Sequence, residues 1–130
     1  MRLGATLYIR NTAEAAGFYQ EAFGLTLGYH EKNEDGSFLH AALEKDGHEV
    51  FAISECTNEP FVKMMLASNL KTARPTMSYG LDFDSPEAVR KAYEILSVDG
   101  TVLLPIGALP WSACCAEVID RYGVYWYLTV

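Results

Sequence analysis

The feature that most restricts what this chain can fold into is a pattern that occurs twice. Leu3, Ala5, Leu7 and Ile9 alternate with Gly4, Thr6, Tyr8 and Arg10, the period of a strand with one apolar face. Asn11-Thr12 then offers an N-cap, Glu14 suits the first turn of a helix running to Phe23, and Gly24 suits a left-handed C-cap. Strands fit 26–30, 38–44 and 50–54, broken by Asn33-Glu34-Asp35-Gly36 and Lys45-Asp46-Gly47. The order then recurs. Met77, Tyr79, Leu81 and Phe83 alternate with Ser78, Gly80, Asp82 and Asp84, and lead into Ser85-Pro86-Glu87, a helix start with Pro at the first helical position. That helix stops near Asp99-Gly100, and strands fit 101–104, 112–119 and 124–129, with Arg121-Tyr122-Gly123 turning between the last two. Both halves read β-α-β-β-β, offset by about 74 positions, and an internal duplication accounts for this most simply.

The expected fold class is therefore α+β: two βαβββ modules, about 1–56 and 76–130, in a single domain, with a linker at 57–75. Within the linker, Phe61, Met64, Met65 and Leu66 form either a short helix packed on the core or a flap over a ligand site. The chain has 130 residues, half of them apolar, enough to bury a core without metal or disulfide.

Charge excludes some partners. With 17 acidic and 10 basic side chains the formal net charge is -7. Binding to nucleic acid or to an anionic membrane needs clustered Lys and Arg that are not here. Cys56, Cys114 and Cys115 have neither zinc spacing nor the even count of a disulfide framework. Met1-Arg2-Leu3-Gly4-Ala5 carries no long apolar run with a cleavage site, and no segment suits a bilayer span. Cytoplasmic residence is the expectation.

Two motifs carry a resemblance. Phe18-Tyr19-Gln20-Glu21-Ala22-Phe23-Gly24 resembles the FYxxxFG run of the first helix in the vicinal-oxygen-chelate superfamily, the glyoxalase, bleomycin-resistance and extradiol-dioxygenase group. Asp120-Arg121-Tyr122-Gly123-Val124-Tyr125-Trp126 is similar to the D-x-x-G-x-x-W ending of its PhnB-like branch, whose pattern Gly100-Thr101-Val102 and Pro110-Trp111 also match. On the residues alone, Phe18, Ala22 and Phe23 make a helix's inner face, and Trp126 lies on the core face of the last strand. The resemblance implies a curled eight-stranded mixed sheet covered by helices on its convex side, a ligand on the concave side, and a homodimer.

The resemblance also makes a local test of metal chemistry possible. Relatives that are enzymes hold a divalent metal with three or four His, Glu or Gln side chains, leaving open positions for Lewis-acid chemistry. The corresponding positions here fall at or beside Gly4, Ala52, Ser78 and Tyr127, none a usual ligand. No metal and no cofactor is therefore expected. His30 and His48 sit at a strand end and beside a turn, as surface histidines do. His40 is mid-strand, but alternation gives it no second imidazole or carboxylate at matching phase.

With Leu7, Phe51, Leu81 and Trp126 facing the helices, alternation puts Thr6, Tyr8, Val50, Ser54, Ser78, Asp82, Tyr125, Tyr127 and Thr129 on the other side. Together with His40 and Trp111, the candidate ligand-binding set is Thr6, Tyr8, His40, Ser54, Ser78, Asp82, Trp111, Tyr125 and Tyr127. Aromatic area with a few hydroxyls suits a small-molecule pocket, and it equally suits a filled core. Asp82 on a sheet is hydrated, protonated or paired, the expected pair being with Arg10 or Arg121. On a strand one of Cys114 and Cys115 faces each side, and no base or positive field marks either as a nucleophile.

Three functions fit. The first is a metal-free dimer that binds a small, partly aromatic molecule. The second is a lyase, isomerase or dioxygenase with a displaced metal site around His40, Glu117 or Asp82. The third is a structural or regulatory dimer whose cup is filled by its own side chains. A methyltransferase reading lacks a glycine-rich nucleotide loop after a strand.

Overall fold

A computed structural model describes residues 1–67 and 76–130, except the side chains of Phe61 and of residues 65–67. The elements run β1 (Thr6–Ile9), α1 (Thr12–Phe23), β2 (Thr26–Lys32), β3 (Phe38–Lys45), β4 (His48–Glu55), α2 (Glu59–Ala67), β5 (Tyr79–Asp82), α3 (Pro86–Ser97), β6 (Thr101–Leu109), β7 (Ser112–Ile119) and β8 (Tyr125–Thr129). The chain divides into two compact units, residues 1–62 and 63–130. Each holds a mixed four-stranded sheet, ordered β1-β4-β3-β2 in the first and β5-β8-β7-β6 in the second. In both, the first strand pairs parallel with the last and the other ladders are antiparallel. The eight strands are thus those of two βαβββ modules, and neither sheet closes on itself. Part of the expected linker, 68–75, lies outside the described residues, as do the side chains of Phe61, Met65 and Leu66. Val62 in α2 is buried and Met64 exposed.

In the first unit α1 packs on β3 and β4 through an aromatic cluster. Tyr19 stacks on Phe23 (centroids 5.8 Å apart, planes 7° apart) and meets Phe51 edge-on at 5.5 Å. Tyr19 therefore belongs to the inner face with Phe18, Ala22 and Phe23, and it is fully buried; spacing of three and four along a helix puts all of them on one side. Gly24 is left-handed (φ 65°) and its N–H donates to the Gln20 carbonyl, as a C-cap requires.

The other end of α1 departs from expectation. Asn11 is itself left-handed (φ 61°), and its side chain donates to Glu14 Oε2 at 2.7 Å, not to the helix backbone. Glu55, at the end of β4, caps the helix instead. Its carboxylate accepts from Asn11 N (2.9 Å), Thr12 N (2.8 Å) and Thr12 Oγ1 (2.7 Å). Thr12 Oγ1 in turn accepts from Phe38 N at 2.8 Å. A carboxylate at a helix N-terminus satisfies open N–H groups and complements the dipole.

In the second unit α3 starts as its sequence says: Ser85 Oγ accepts from Ala88 N at 3.2 Å, with Pro86 next. Val89, Ala92 and Leu96 are buried against the sheet. Gly100 lies where the helix exit meets β7. A Cβ there would come within 2.6 Å of the Ile119 carbonyl and 2.7 Å of the Leu96 carbonyl, so the close approach needs glycine. β6 runs five residues past its predicted end. Pro105 interrupts the pattern, but β6 is an edge strand, where a missing N–H costs no ladder bond. β1 and β5 are shorter than their alternating runs, starting at Thr6 and Tyr79.

Candidate functional site

Each sheet has one face under its helix and one face turned away, and register assigns the residues. In the first unit Leu7 pairs with Ile53, and Leu43 with Phe51, which contacts α1. The opposite phase carries Thr6 beside Ala52 and Tyr8 beside Ser54. His40 lies on the same face from β3. Thr6, Tyr8, Ser54 and His40 thus share one open face, with Tyr8 strongly exposed.

His40 has a neighbour that simple alternation misses. Glu31 is its direct cross-strand partner, because the β2 register shifts between Leu27 and His30. A bulge reverses the phase of the strand residues beyond it, so a carboxylate does stand at matching phase to His40. The Tyr29 ring is 6.2 Å from the His40 ring, and the Tyr29 hydroxyl donates to Glu31 Oε1. That hydrogen bond, and then the carboxylate's charge, hold the Tyr29 phenol above its ordinary pKa. Among the described residues no three His, Cys, Asp or Glu side chains come together as a metal cluster. Of the four positions matched to metal ligands, Gly4 and Ser78 lie outside any strand, and Ala52 and Tyr127 are on strands.

In the second unit Tyr79 and Trp126 pair on the helix side, their rings 5.6 Å apart. The other face carries Asp82 beside Thr129, Gly80 beside Tyr127, and Glu117 across from Tyr127. Tyr125 shares this face, and its hydroxyl donates to Glu117 Oε1 at 2.7 Å. Trp111 occupies the turn between β6 and β7 and is 72% exposed, yet its indole Nε1 donates to the Tyr127 hydroxyl at 2.9 Å. An exposed indole is thereby held over the sheet. Gly80 leaves the neighbouring surface open: a Cβ there would meet nothing within 4 Å. Thr129 Oγ1 donates to Ser112 Oγ at 2.8 Å and so pins the turn that presents Trp111. Asp82, Trp111, Tyr125 and Tyr127 therefore come together on this face, whereas Ser78 precedes β5 and is exposed.

Three further expectations are settled locally. Arg10 Nε is 3.8 Å from Glu55 Oε1, because the chain turns into α1 right after β1. Asp82 is exposed. Cys115 pairs with Thr129 and so faces the side away from α3, with Cys114 opposite; both thiols are free and buried. The Asp120–Trp126 motif proves to be a structural clamp. Asp120 Oδ1 accepts from Tyr122 N (2.9 Å) and Val124 N (3.0 Å), and Oδ2 accepts from the Trp126 indole at 2.8 Å.

No protein-family model and no curated protein matches the chain. Solved structures do. A putative 3-demethylubiquinone-9 3-methyltransferase, PhnB protein, from Bacillus cereus superposes with a TM-score of 0.73 at 24% identity, covering 99% of this chain and 98% of that one. Protein PA1353 from Pseudomonas aeruginosa gives 0.73 at 22% identity, over 99% and 96%. A glyoxalase/bleomycin resistance protein/dioxygenase family enzyme from Burkholderia phytofirmans gives 0.61 at 19% identity, over 95% and 93%. At these identities the likeness establishes the fold, and function has to be argued from the site.

Proposed function

With the glyoxalase/bleomycin-resistance fold as premise, we propose that this chain belongs to the vicinal-oxygen-chelate superfamily and binds a small, partly aromatic molecule without a metal. The two units make one domain, two copies make a homodimer, and the protein works in the cytoplasm, where three free thiols stay reduced. The observation that carries this reading is Trp111, an exposed indole tethered to the half-buried Tyr127 beside the exposed Gly80 and Asp82. A large exposed aromatic held in one geometry loses little entropy on stacking a planar ligand. The positions matched to metal ligands support the metal-free part, since glycine, alanine, serine and tyrosine cannot replace the usual donor set.

The methyltransferase name of the Bacillus cereus relative does not transfer. The strand-to-helix turns here, Arg10-Asn11 and Phe83-Asp84-Ser85, contain no glycine-rich loop. Glu31 and His40 favour a second reading, a displaced metal site, because they supply two donors on one face. Two donors fall short of the three or four that catalytic centres of this kind use.

A thermal-shift screen tests both readings, because a ligand that prefers the folded state raises the melting temperature. Aromatic metabolites are expected to raise it in the wild-type chain and not in Trp111→Ala, while Zn, Mn and Mg ions and chelator leave it unchanged. A metal-dependent rise abolished by His40→Ala would establish the second reading in place of the first.

A further inference from the structure

The second sheet has a charge bias that narrows the ligand class. Its four strands, β5 to β8, contain no Lys, Arg or His, and they contribute two carboxylates, Asp82 and Glu117. Both lie on the face away from α3 with Tyr127, Asp82 exposed and Glu117 half-buried: Asp82 is one strand over from Thr129, and Glu117 is directly across from Tyr127. Neither forms an ion pair among the described residues; Glu117 accepts a hydrogen bond from the neutral Tyr125 hydroxyl. The basic residue nearest along the chain, Arg121, sits in the β7–β8 turn, at the end of β8 away from Thr129. At about 3.3 Å per strand residue, that separates it from the Asp82 end by more than about 10 Å.

An anion here would meet Asp82, far from any basic residue of this sheet's strands and turns, and the nearby Glu117, and a neutral ring would gain stacking alone. A positive charge gains twice, from the negative faces of the Trp111 and Tyr127 rings and from Asp82 and Glu117. We infer that the ligand of this face is an organic cation, an amine or quaternary ammonium borne on or beside a planar ring. The inference rests on the Trp111–Tyr127 face being the binding site.

Three probes of similar ring size separate the contributions: benzyltrimethylammonium, benzyl alcohol and benzoate, titrated into the full chain by calorimetry and by tryptophan emission. Trp126 is buried on the Asp120 carboxylate and serves as the internal reference. The cation is expected to bind about tenfold more tightly than the alcohol, with benzoate weaker still. Asp82→Asn should weaken the cation about threefold and leave the alcohol unchanged. Trp111→Ala should weaken both, and Glu34→Gln, in a turn of the first unit, neither. Equal binding of cation and alcohol, both sensitive to Trp111→Ala, overturns the charge preference and leaves the site standing. Probe binding indifferent to Trp111→Ala overturns the inference together with the site.

Discussion

Asp120 shows how much of the fold can hang on one side chain. It is fully buried, and its two oxygens serve two backbone N–H groups and an indole N–H across the β7–β8 turn. Removing them takes the Asp120 acceptor from two buried donors, Val124 N and the Trp126 indole, and from the part-buried Tyr122 N; each buried loss costs about 1–3 kcal/mol. Asp120→Ala is expected to lower unfolding free energy by at least about 2 kcal/mol in urea titrations; a change under about 1 kcal/mol would show that water replaces the clamp. The motif was legible in the sequence as Asp120, Gly123 and Trp126 at fixed spacing. Its role was not, because spacing says nothing about which atoms the carboxylate reaches. Trp111 is the converse case: its exposure and its bond to Tyr127 join residues 16 positions apart, a distance no local pattern spans.

At the scale of elements, α1 depends on a group outside itself. The Glu55 carboxylate accepts from the N–H groups of Asn11 and Thr12, so Glu55→Ala should cost about 1–2 kcal/mol. The loss should appear as faster amide exchange in the first turn of α1, with α3 unaffected because Ser85 caps that helix. The turn before β3 has a pH dependence of its own. Ser37 donates from both Oγ (2.5 Å) and N (2.9 Å) to Asp35 Oδ1, and these bonds hold the Asp35 pKa below its ordinary 3.8. A lowered pKa stabilises the folded turn fully above the ordinary value, and that stabilisation is lost as pH falls from there through the lowered folded-state value. Carbon-detected titration should place Asp35 below its ordinary value, and Ser37→Ala, which removes the Oγ bond and keeps the N–H bond, should raise it part of the way back. Strands 112–119 and 38–44 were readable almost to the residue, since both are central, mostly apolar runs bounded by turn residues. β2 and β6 were not, because bulges in edge strands shift the phase on which such readings depend.

For the whole molecule, the proposed homodimer predicts a light-scattering mass twice that of the chain, independent of chelator. A monomer across the micromolar range would remove the dimer from the reading. No helix of the described residues is long and apolar enough to cross a membrane. The repeat read from the sequence corresponds to two sheets of the same strand order, each with its own helix. Periodicity, turn residues and helix caps are local, so the chain's own order of residues determined the two βαβββ modules, the limits of α1 and α3 and the apolar faces of β1 and β5. Only tertiary structure decided that Glu55 rather than Asn11 caps α1, that Glu31 stands opposite His40, and that Trp111 reaches Tyr127. Each of those depends on strand register, and register is set by pairing between segments far apart in sequence.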